Sequence, residues 1–310
     1  CQHLWQRIDL QQRTNEQPLM LFPETIYEKD LPAADTGDRK LVISIAPERC
    51  DAAVWSNGIP GSLRIVSTTK ITLDQTGQWT GFEDFLYDNP GLLAPMSQTT
   101  VMIATDDIVM VPKAINRDNA SRLLYKTALS CDIPVTSRYI ERWHECCDIS
   151  VGLLLPSKLH RFITRSFQPV NIRWYASAIA EYWKHMLTTV QSNATKLLQA
   201  IAVVSASLRL TLVVLDSNGN MVAAISRKGT SHSDLSYHIL SLLASLTASI
   251  SDDVNLSVFG VSQEITAIKQ ELSGWIDARL YTYISGKSSI IDPAQLHLIA
   301  PELITAIETA

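Results

Sequence analysis

The feature that most constrains this sequence is an order of predicted secondary-structure elements that occurs twice along its 310 residues. In each half, the spacing of apolar residues predicts three consecutive antiparallel strands, a helix, and then alternating strands and helices. The first half gives predicted strands at residues 41–46, 51–56, 63–73, 99–105, 108–111, 149–155 and 170–175, with helices at 79–87, 115–129, 157–167 and 177–187. The second half gives strands at 198–205, 210–216, 220–226, 255–259 and 279–284, with helices at 234–248 and 262–272.

This duplicated order predicts two related five-stranded sheets. Three antiparallel strands that continue into parallel βαβ units form a mixed sheet with helices on both sides. The alternating strands and helices of residues 149–187 are predicted to supply the parallel part of the first sheet. We therefore predict an α/β protein of the actin-like ATPase (ribonuclease H-like) fold, with two lobes that each hold a five-stranded mixed sheet flanked by helices.

Composition sets the predicted boundaries of these lobes. Residues 1–40 are polar and carry three prolines, so we predict an extended or loosely attached arm. The first lobe is expected over residues 41–190, with a small inserted subdomain at about 107–148. The second lobe is expected over residues 191–310, and residues 293–310 are predicted to form an amphipathic helix that packs on this lobe or on a partner.

Two local signals refine the second lobe. Asn218-Gly219 lies between two predicted strands, and this dipeptide supplies the positive φ angles of a tight hairpin turn. Ser233 precedes a wide apolar stripe that begins with Leu235. We therefore predict Ser233 as the N-cap of the helix that follows.

Charge and composition exclude several classes of protein. The formal net charge is -5 and 18% of residues are charged, whereas nucleic-acid binding needs a basic face. No apolar run reaches the roughly 20 residues that cross a bilayer. The sequence starts at Cys1 with a polar stretch unlike a signal peptide, and its five cysteines are irregularly spaced. We therefore expect a soluble, cytoplasmic protein with reduced thiols, no transmembrane segment and no nucleic-acid partner.

Several short motifs, in a fixed order, resemble a known family. In the first half they are Asn89-Pro90-Gly91-Leu92-Leu93, the predicted strand at residues 99–105, and Val109-Met110-Val111-Pro112. In the second half they are Asp216-Ser217-Asn218-Gly219, Asp234 with Tyr237, and a strand at residues 256–260 that ends in glycine. Together they resemble a family of uncharacterised bacterial proteins, a domain of unknown function assigned an actin-like ATPase fold. The resemblance covers about residues 41–286.

The resemblance implies a fold rather than an activity. Residues 99–183 are also similar in plan to actin-like assembly proteins of type IV pilus and type II secretion systems, which carry an extra small subdomain in the first lobe.

An active actin-like ATPase needs a strand–turn–strand in each lobe, with an Asp for the magnesium ion and Gly with Ser, Thr or Lys for the phosphates.

Both matching turns of this sequence lack residues that phosphate chemistry needs. The first, residues 44–50, has no glycine, and Pro47 removes one backbone N–H donor. The second, residues 204–209, has neither Asp nor Gly. Glu48 is the one carboxylate in these two turns, so we predict no catalytic residue and no metal site.

Five residues remain as weak candidates for nucleotide binding: Ser44, Glu48, Ser205, Ser207 and Gly260. The two serines of the second turn, with Arg209 beside them, are suited to weak anion binding. Gly260 ends a predicted strand where such folds often let adenosine approach the backbone. A glycine at the end of a strand is nevertheless more typical of a turn.

One polar cluster suggests a metal site: His144, Cys146, Cys147 and Asp148. Structural zinc prefers a CxxC-type pair with a distant second pair of Cys or His, and no such second pair is present in the sequence. A local helix or loop with ordinary thiols is therefore favoured.

A second cluster suggests nucleophilic chemistry: Ser231, His232 and Asp234. Its place at the start of a predicted helix favours capping instead, because Ser and Asp side chains satisfy the free N–H groups there.

The densest aromatic group is Trp174, Tyr175, Tyr182 and Trp183. Aromatic residues along a helix are more typical of a core than of a protein interface.

Two functional hypotheses follow from these patterns. The first is a non-catalytic protein-binding or scaffold module with a degenerate nucleotide site and a protein partner, motivated by the two impaired turns. The second is a nucleotide-binding switch or slow ATP hydrolase, motivated by the architecture and by Gly260. No cofactor is expected under the first hypothesis, whereas the second expects weak binding of ATP with magnesium.

Overall fold

The computed structural model describes residues 25–31, 39–47, 49–56, 59, 62–73, 79–105, 108–130, 139–146, 148–189, 196–205, 208–260, 262–281, 303 and 307. Contacts between residues divide the chain into two compact units, with the boundary between Ala178 and Ile179. We call the described residues before this boundary the first unit and those after it the second unit. Each unit has its own mixed sheet.

The strands of the first unit are β1 (Arg39–Ala46), β2 (Arg49–Ser56), β3 (Arg64–Thr68), β4 (Thr72–Leu73), β5 (Trp79–Thr80), β6 (Gln98–Ile103), β7 (Ile108–Pro112), β8 (Tyr139–Cys146), β9 (Ile149–Pro156) and β10 (Val170–Trp174). Its helices are α1 (Phe82–Asp88), α2 (Arg117–Ser130) and α3 (Ser157–Ser166). Helix α4 (Tyr175–Thr189) begins in the first unit and crosses the boundary. Short 3₁₀ turns cover Glu28–Asp30 and Pro90–Leu93.

The strands of the second unit are β11 (Leu198–Val204), β12 (Arg209–Asp216), β13 (Met221–Lys228), β14 (Val254–Gly260) and β15 (Ala278–Tyr281). Its helices are α5 (His232–Leu246), α6 (Ile250–Asp253) and α7 (Ser262–Leu272). Two residues of the helix predicted at 293–310 are also described, Leu303 and Ile307, and both are helical and buried.

The first unit is built on a five-stranded mixed sheet in the order β10-β6-β1-β2-β3. Strand β1 pairs antiparallel with β2 and parallel with β6; β2 continues antiparallel to β3, and β6 continues parallel to β10. Val42 and Ile43 of β1 point to opposite faces of the sheet, yet both are fully buried. Both faces are therefore covered, which is why the central strands are nearly continuous apolar runs.

The second unit repeats this sheet in the order β13-β12-β11-β14-β15, with the same antiparallel and parallel pairings. Helices α5 and α7 cover one of its faces with Leu235, Ile239, Leu243, Ile265 and Ile268. Each of these side chains is buried, and burying a leucine or isoleucine stabilises a fold by about 1.5–3 kcal/mol. The predicted pair of related five-stranded mixed sheets is confirmed.

A separate three-stranded sheet in the first unit corrects one prediction. Strand β9 pairs antiparallel with β7 on one side and with β8 on the other. The sequence pattern had assigned residues 149–155 to the parallel part of the main sheet, but the parallel neighbour of β10 is β6. A strand buried on both faces has the same apolar pattern in either sheet, so the pattern could not distinguish the two pairings. The small subdomain predicted at about 107–148 thus takes β9 as its central strand.

Strand β8 corrects a second prediction, because a helix or loop had been favoured around His144. Successive side chains of β8 point to opposite faces of the small sheet and have different contacts there. Trp143 packs over Gly152 of β9 and under the guanidinium of Arg117, whose Cζ lies 4.7 Å from the ring centroid. His144 points the other way and meets Ser177. Polar residues with partners on both faces conceal the apolar alternation that would have indicated a strand.

Two predicted elements of the first unit are interrupted by local hydrogen bonding and backbone geometry. The strand predicted at residues 63–73 divides into β3 and β4, and the Thr68 hydroxyl accepts a hydrogen bond from the Lys70 N–H at the break. The helix predicted at 79–87 begins only at Phe82, because Gly81 has a φ of 87° and residues before it form β5. Such left-handed geometry ends regular structure and favours glycine.

Two local predictions in the second unit are also corrected. Between β12 and β13, Gly219 has a φ of 76°, whereas Asn218 is not among the residues with positive φ. Asp216 Oδ1 instead accepts hydrogen bonds from the N–H groups of Asn218 and Asn220, both at 2.8 Å. The N-cap of α5 is Ser231 rather than Ser233, and its hydroxyl accepts from the Asp234 N–H.

Residues 25–31 are packed against the first unit, in contrast to the loosely attached arm predicted for residues 1–40. Ile26 is fully buried and Leu31 is 6% exposed. The Ile26 N–H donates to the Asn89 side chain at 2.9 Å, and its carbonyl accepts from the Gly91 N–H at 2.9 Å. The rest of the predicted arm before Arg39 lies outside the described residues. None of the described helices is long and apolar enough to span a bilayer.

Candidate functional site

The turn between β1 and β2 is a short hairpin turn whose sequence offers few donors to a phosphate. Ala46 pairs directly with Arg49, so only two residues connect the strands. Pro47 is one of them and has no N–H to donate. The other, Glu48, was a weak candidate for nucleotide binding and lies outside the described residues. Ser44, the other candidate of this turn, is buried in β1 opposite Asp51.

Asp51 is a carboxylate in this region that the sequence analysis missed. It is 4% exposed, and its oxygens already have several donors. Arg49 Nε lies 2.7 Å from Oδ2 and Arg49 Nη2 lies 2.7 Å from Oδ1, while Ser67 donates to Oδ1 at 2.5 Å. The sequence signal that could have drawn attention to it is a carboxylate at the start of the apolar strand predicted at residues 51–56.

The turn between β11 and β12 is closed by its own polar groups. Ser205 Oγ accepts the Arg209 N–H at 3.1 Å, and the Ser205 carbonyl accepts the Leu208 N–H at 3.0 Å. Leu208 has a φ of 57°, a left-handed conformation that is uncommon for leucine. The predicted candidate Ser207 lies outside the described residues. The Ser205 hydroxyl is therefore engaged inside the turn.

The two sheets differ in the row of side chains next to these turns. In the first sheet, Ser44 lies opposite Asp51, which lies opposite Ser67. In the second sheet the corresponding row contains Val203, Thr211 and Ser226. The second row has hydroxyls but no carboxylate, and the Thr211 and Ser226 hydroxyl oxygens are 3.5 Å apart.

Gly260 has a packing reason to be glycine. It is the last residue of β14 and pairs with Val204 of β11. A Cβ at this position would lie 2.5 Å from the Val204 carbonyl oxygen and 2.9 Å from the Cγ2 of Ile265. The close approach of strand and helix α7 thus accounts for the glycine within its own unit.

The start of α5 is a capping arrangement. Ser231 caps the helix, and the Asp234 carboxylate accepts hydrogen bonds from the Thr230 N–H at 3.0 Å and from the Thr230 hydroxyl. These hydrogen bonds lower the pKa of Asp234. His232 Nε2 lies 2.5 Å from the Glu264 carboxylate of α7, so this imidazole faces α7 rather than Ser231. The predicted capping role of Ser231 is confirmed.

His144 belongs to a buried hydrogen-bond chain. The Ser177 hydroxyl donates to the Trp174 carbonyl at 2.6 Å, so it accepts from His144 Nε2 at 2.8 Å. Burial, with the Arg173 charge nearby, lowers the pKa of His144 to about 4. The His144 imidazole therefore does not act as a base toward Ser177, because it donates to the hydroxyl oxygen. Cys146 donates to the Ser177 carbonyl at 3.6 Å, and Cys147 lies outside the described residues.

The aromatic group of α4 lies in the cores of the two units. Trp174 and Tyr175 are fully buried in the first unit, and the Trp174 indole donates to the Thr105 carbonyl at 3.2 Å. Tyr182 is buried in the second unit, and the Trp183 ring lies 5.5 Å from the Phe259 ring, measured between centroids. These residues fill cores, as the sequence pattern indicated.

An open groove of about 730 Å³ lies on the first unit. Its walls are the segment around Tyr27, residues 67–70 at the end of β3, and residues 81–90 with α1. Asn89 holds two of these walls together, since its side chain accepts from the Ile26 N–H and donates to the Phe85 carbonyl at 2.8 Å. The motif Asn89-Pro90-Gly91, which is part of the family resemblance, therefore helps to build the groove.

Comparisons with known proteins agree with this architecture. No protein-family model matches the chain, and no curated protein sequence matches it. Among solved structures, it is similar to a protein with an actin-like ATPase fold and unknown function from Bacteroides thetaiotaomicron, with 14% sequence identity and a TM-score of 0.63 over 79% of this chain and 91% of that chain. It is also similar to PilM of a PilM–PilN type IV pilus biogenesis complex, with 11% identity and a TM-score of 0.53 over 86% of this chain and 96% of that chain.

These similarities confirm the predicted fold. Both structures cover most of the chain at low sequence identity, which establishes a shared fold and leaves activity to be argued from the site. The chain has the actin-like ATPase fold, with the twice-repeated mixed sheet on which that prediction was based.

Proposed function

We propose that this chain with an actin-like fold is a non-catalytic protein-binding or scaffold module whose nucleotide site is degenerate. The observation that carries the proposal is that the described polar side chains next to both turns, Asp51 and Ser205, already have partners inside the protein. Asp51 accepts from Arg49 and Ser67, and the Ser205 hydroxyl accepts from the Arg209 N–H. Phosphoryl transfer instead needs a carboxylate that organises magnesium and donors that reach phosphate oxygens.

A protein partner is supported by one of the structural similarities. PilM, which shares the fold at a TM-score of 0.53, was solved in a complex with PilN. A protein with this fold can therefore serve as a binding partner for another protein. The proposal extends this use of the fold to the present chain.

A second candidate function, a nucleotide-binding switch or slow ATP hydrolase, is supported by the junction after β14. Helix α7 begins at Ser262, two residues after Gly260. The N–H groups at the start of a helix suit phosphate oxygens, particularly after a glycine that allows close approach. This candidate predicts that ATP with magnesium stabilises the folded chain.

Thermal unfolding with and without nucleotide separates the two candidates. A ligand at about ten times its Kd stabilises the folded state by about 1.4 kcal/mol, which raises the Tm of a chain of this size by roughly 2 °C. We expect no increase at millimolar ATP with magnesium chloride, relative to magnesium chloride alone, and no release of phosphate. A reproducible increase that the Ser205→Ala variant reduces would favour the switch and contradict the scaffold.

A further inference from the structure

We infer that the groove on the first unit binds an extended, basic segment of a partner protein. The segment pairs with the outer edge of β3 and places a Lys or Arg side chain beside Asp84 and Asp88. This inference rests on the proposed protein-binding function, and it adds the surface and the chemistry of the partner.

The edge of β3 can accept another strand. Among the described strands, β2 is its one neighbour in the sheet. Alternate residues of such an edge direct their N–H and C=O groups away from the sheet, where a partner can pair with them. Ser67 and Thr68, at the end of β3, line the groove and have short side chains that leave the main chain accessible.

Two carboxylates give the groove its charge. Asp84 and Asp88 are four residues apart in α1 and therefore lie on one face of the helix, which lines the groove. Both are exposed, and neither forms an ion pair within the described part of the chain. Lys70 also lines the groove but pairs with neither carboxylate. The acidic face of the groove is thus available to a cation.

The position of Asp88 is not explained by helix stability. It is the last residue of α1, and the last turn has no basic residue. The carbonyl end of a helix dipole disfavours a negative charge by about 0.3–1 kcal/mol, so this carboxylate opposes the helix that carries it. Local conflicts of this kind are concentrated at functional or strained sites, which is consistent with a binding role for Asp88.

Two exposed tyrosines complete the walls. Tyr27 is 49% exposed and Tyr87 is 64% exposed, and both line the groove. Tyrosine rings attract cations and pack along the methylene stems of Lys and Arg. Lys29 already shows this preference, since its Nζ lies 5.4 Å from the centroid of the Tyr27 ring.

The groove is preformed, which favours binding because little conformational entropy is then lost. Asn89 is 2% exposed and its side chain hydrogen-bonds to both Ile26 and Phe85. Gly91 fits closely against Tyr27, where a Cβ would lie 2.8 Å from the backbone carbonyl. The two carboxylates and a strand edge that no other described strand covers together match an extended basic segment, whereas an acidic segment would be repelled.

Peptide binding to the full chain tests the charge requirement. The probe is a fluorescent peptide of about seven residues that alternates Lys and Thr, matched by a Glu–Thr peptide of equal length. We expect only the Lys–Thr peptide to bind, with weaker binding at higher salt. The double variant Asp84→Asn/Asp88→Asn should weaken binding about fivefold. Glu83→Gln, an exposed residue of the same helix outside the groove lining, should leave it unchanged.

The strand-pairing requirement is tested on the peptide rather than on the protein. Two Lys–Thr peptides carry N-methyl groups on alternate residues, in complementary registers, so each lacks one set of N–H donors. We expect one of the two to lose binding. Any one of four results would overturn the inference. Two concern the charge of the peptide: no binding of the Lys–Thr peptide, or equal binding of the Lys–Thr and Glu–Thr peptides. The other two are an effect of Glu83→Gln equal to that of the double variant, and full binding of both methylated peptides. The peptide experiments do not involve nucleotide. Thermal unfolding with and without ATP therefore tests the proposed function separately from this inference.

Discussion

At the scale of single residues, His144 couples the stability of the first unit to pH. Its pKa is lowered from 6.5 to about 4 by burial and by the Arg173 charge, so the folded protein prefers the neutral imidazole. The unfolded chain takes up a proton as the pH falls below 6.5, and the folded chain does so only near 4. Stability is therefore complete above 6.5 and declines between 6.5 and 4, by up to about 3 kcal/mol.

The variant His144→Gln tests this coupling. A glutamine amide can donate to the Ser177 hydroxyl as the imidazole does, but it does not titrate. We expect its free energy of unfolding, measured by urea titration at several pH values, to fall less steeply below pH 6.5. Some dependence should remain, since burial and Arg142 also lower the pKa of His160. An unchanged slope would contradict the assignment.

Gly260 supports a second prediction at this scale. The variant Gly260→Ala places a Cβ against the Val204 carbonyl oxygen and should lower the free energy of unfolding by about 1–3 kcal/mol. Gly274 is the matched control, because a Cβ there meets nothing within 4 Å. Gly274→Ala should change stability by less than about 0.5 kcal/mol. Equal effects of the two substitutions in chemical denaturation would argue against the packing role of Gly260.

At the scale of secondary-structure elements, the start of α5 distinguishes the observed cap from the predicted one. Ser231 accepts the Asp234 N–H, whereas Ser233 lies within the helix and is exposed. Ser231→Ala should destabilise the protein by about 1 kcal/mol, and Ser233→Ala should have almost no effect or stabilise slightly. Thermal melts of both variants decide the point, and a larger loss for Ser233→Ala would restore the sequence-based assignment.

Helices and strands were predicted well where the apolar pattern of the sequence matches the burial of the residues in the structure. The apolar stripe of α5 and the apolar strands β12 and β13 before it have predicted bounds within a few residues of those observed. Strands β8 and β9 were assigned wrongly for different reasons. Polar partners on both faces mask the alternation of β8, and burial on both faces removes the alternation that would show which sheet β9 joins.

At the scale of the whole molecule, the two sheets should respond separately to local damage. Asn89→Ala removes two buried hydrogen bonds in the first unit, and Gly260→Ala strains β14 in the second. Loss of a buried hydrogen-bonded side chain costs about 1–3 kcal/mol. We expect hydrogen exchange to accelerate around residues 25–31 and α1 in the first variant, and in β11, β14 and α7 in the second. Acceleration spread evenly over both units in either variant would contradict this separation.

The sequence by itself determined the duplicated mixed sheets and the composition of the two turns. Strand and helix periods are local properties, and a missing Asp or Gly is a matter of residue identity, so neither needs coordinates. Tertiary structure alone decided that Asp51 is held by Arg49 and Ser67, that β9 joins the small sheet, and that Asn89 builds a groove with Ile26. These contacts depend on register and on which segments meet in space, and the period of a single segment does not encode either.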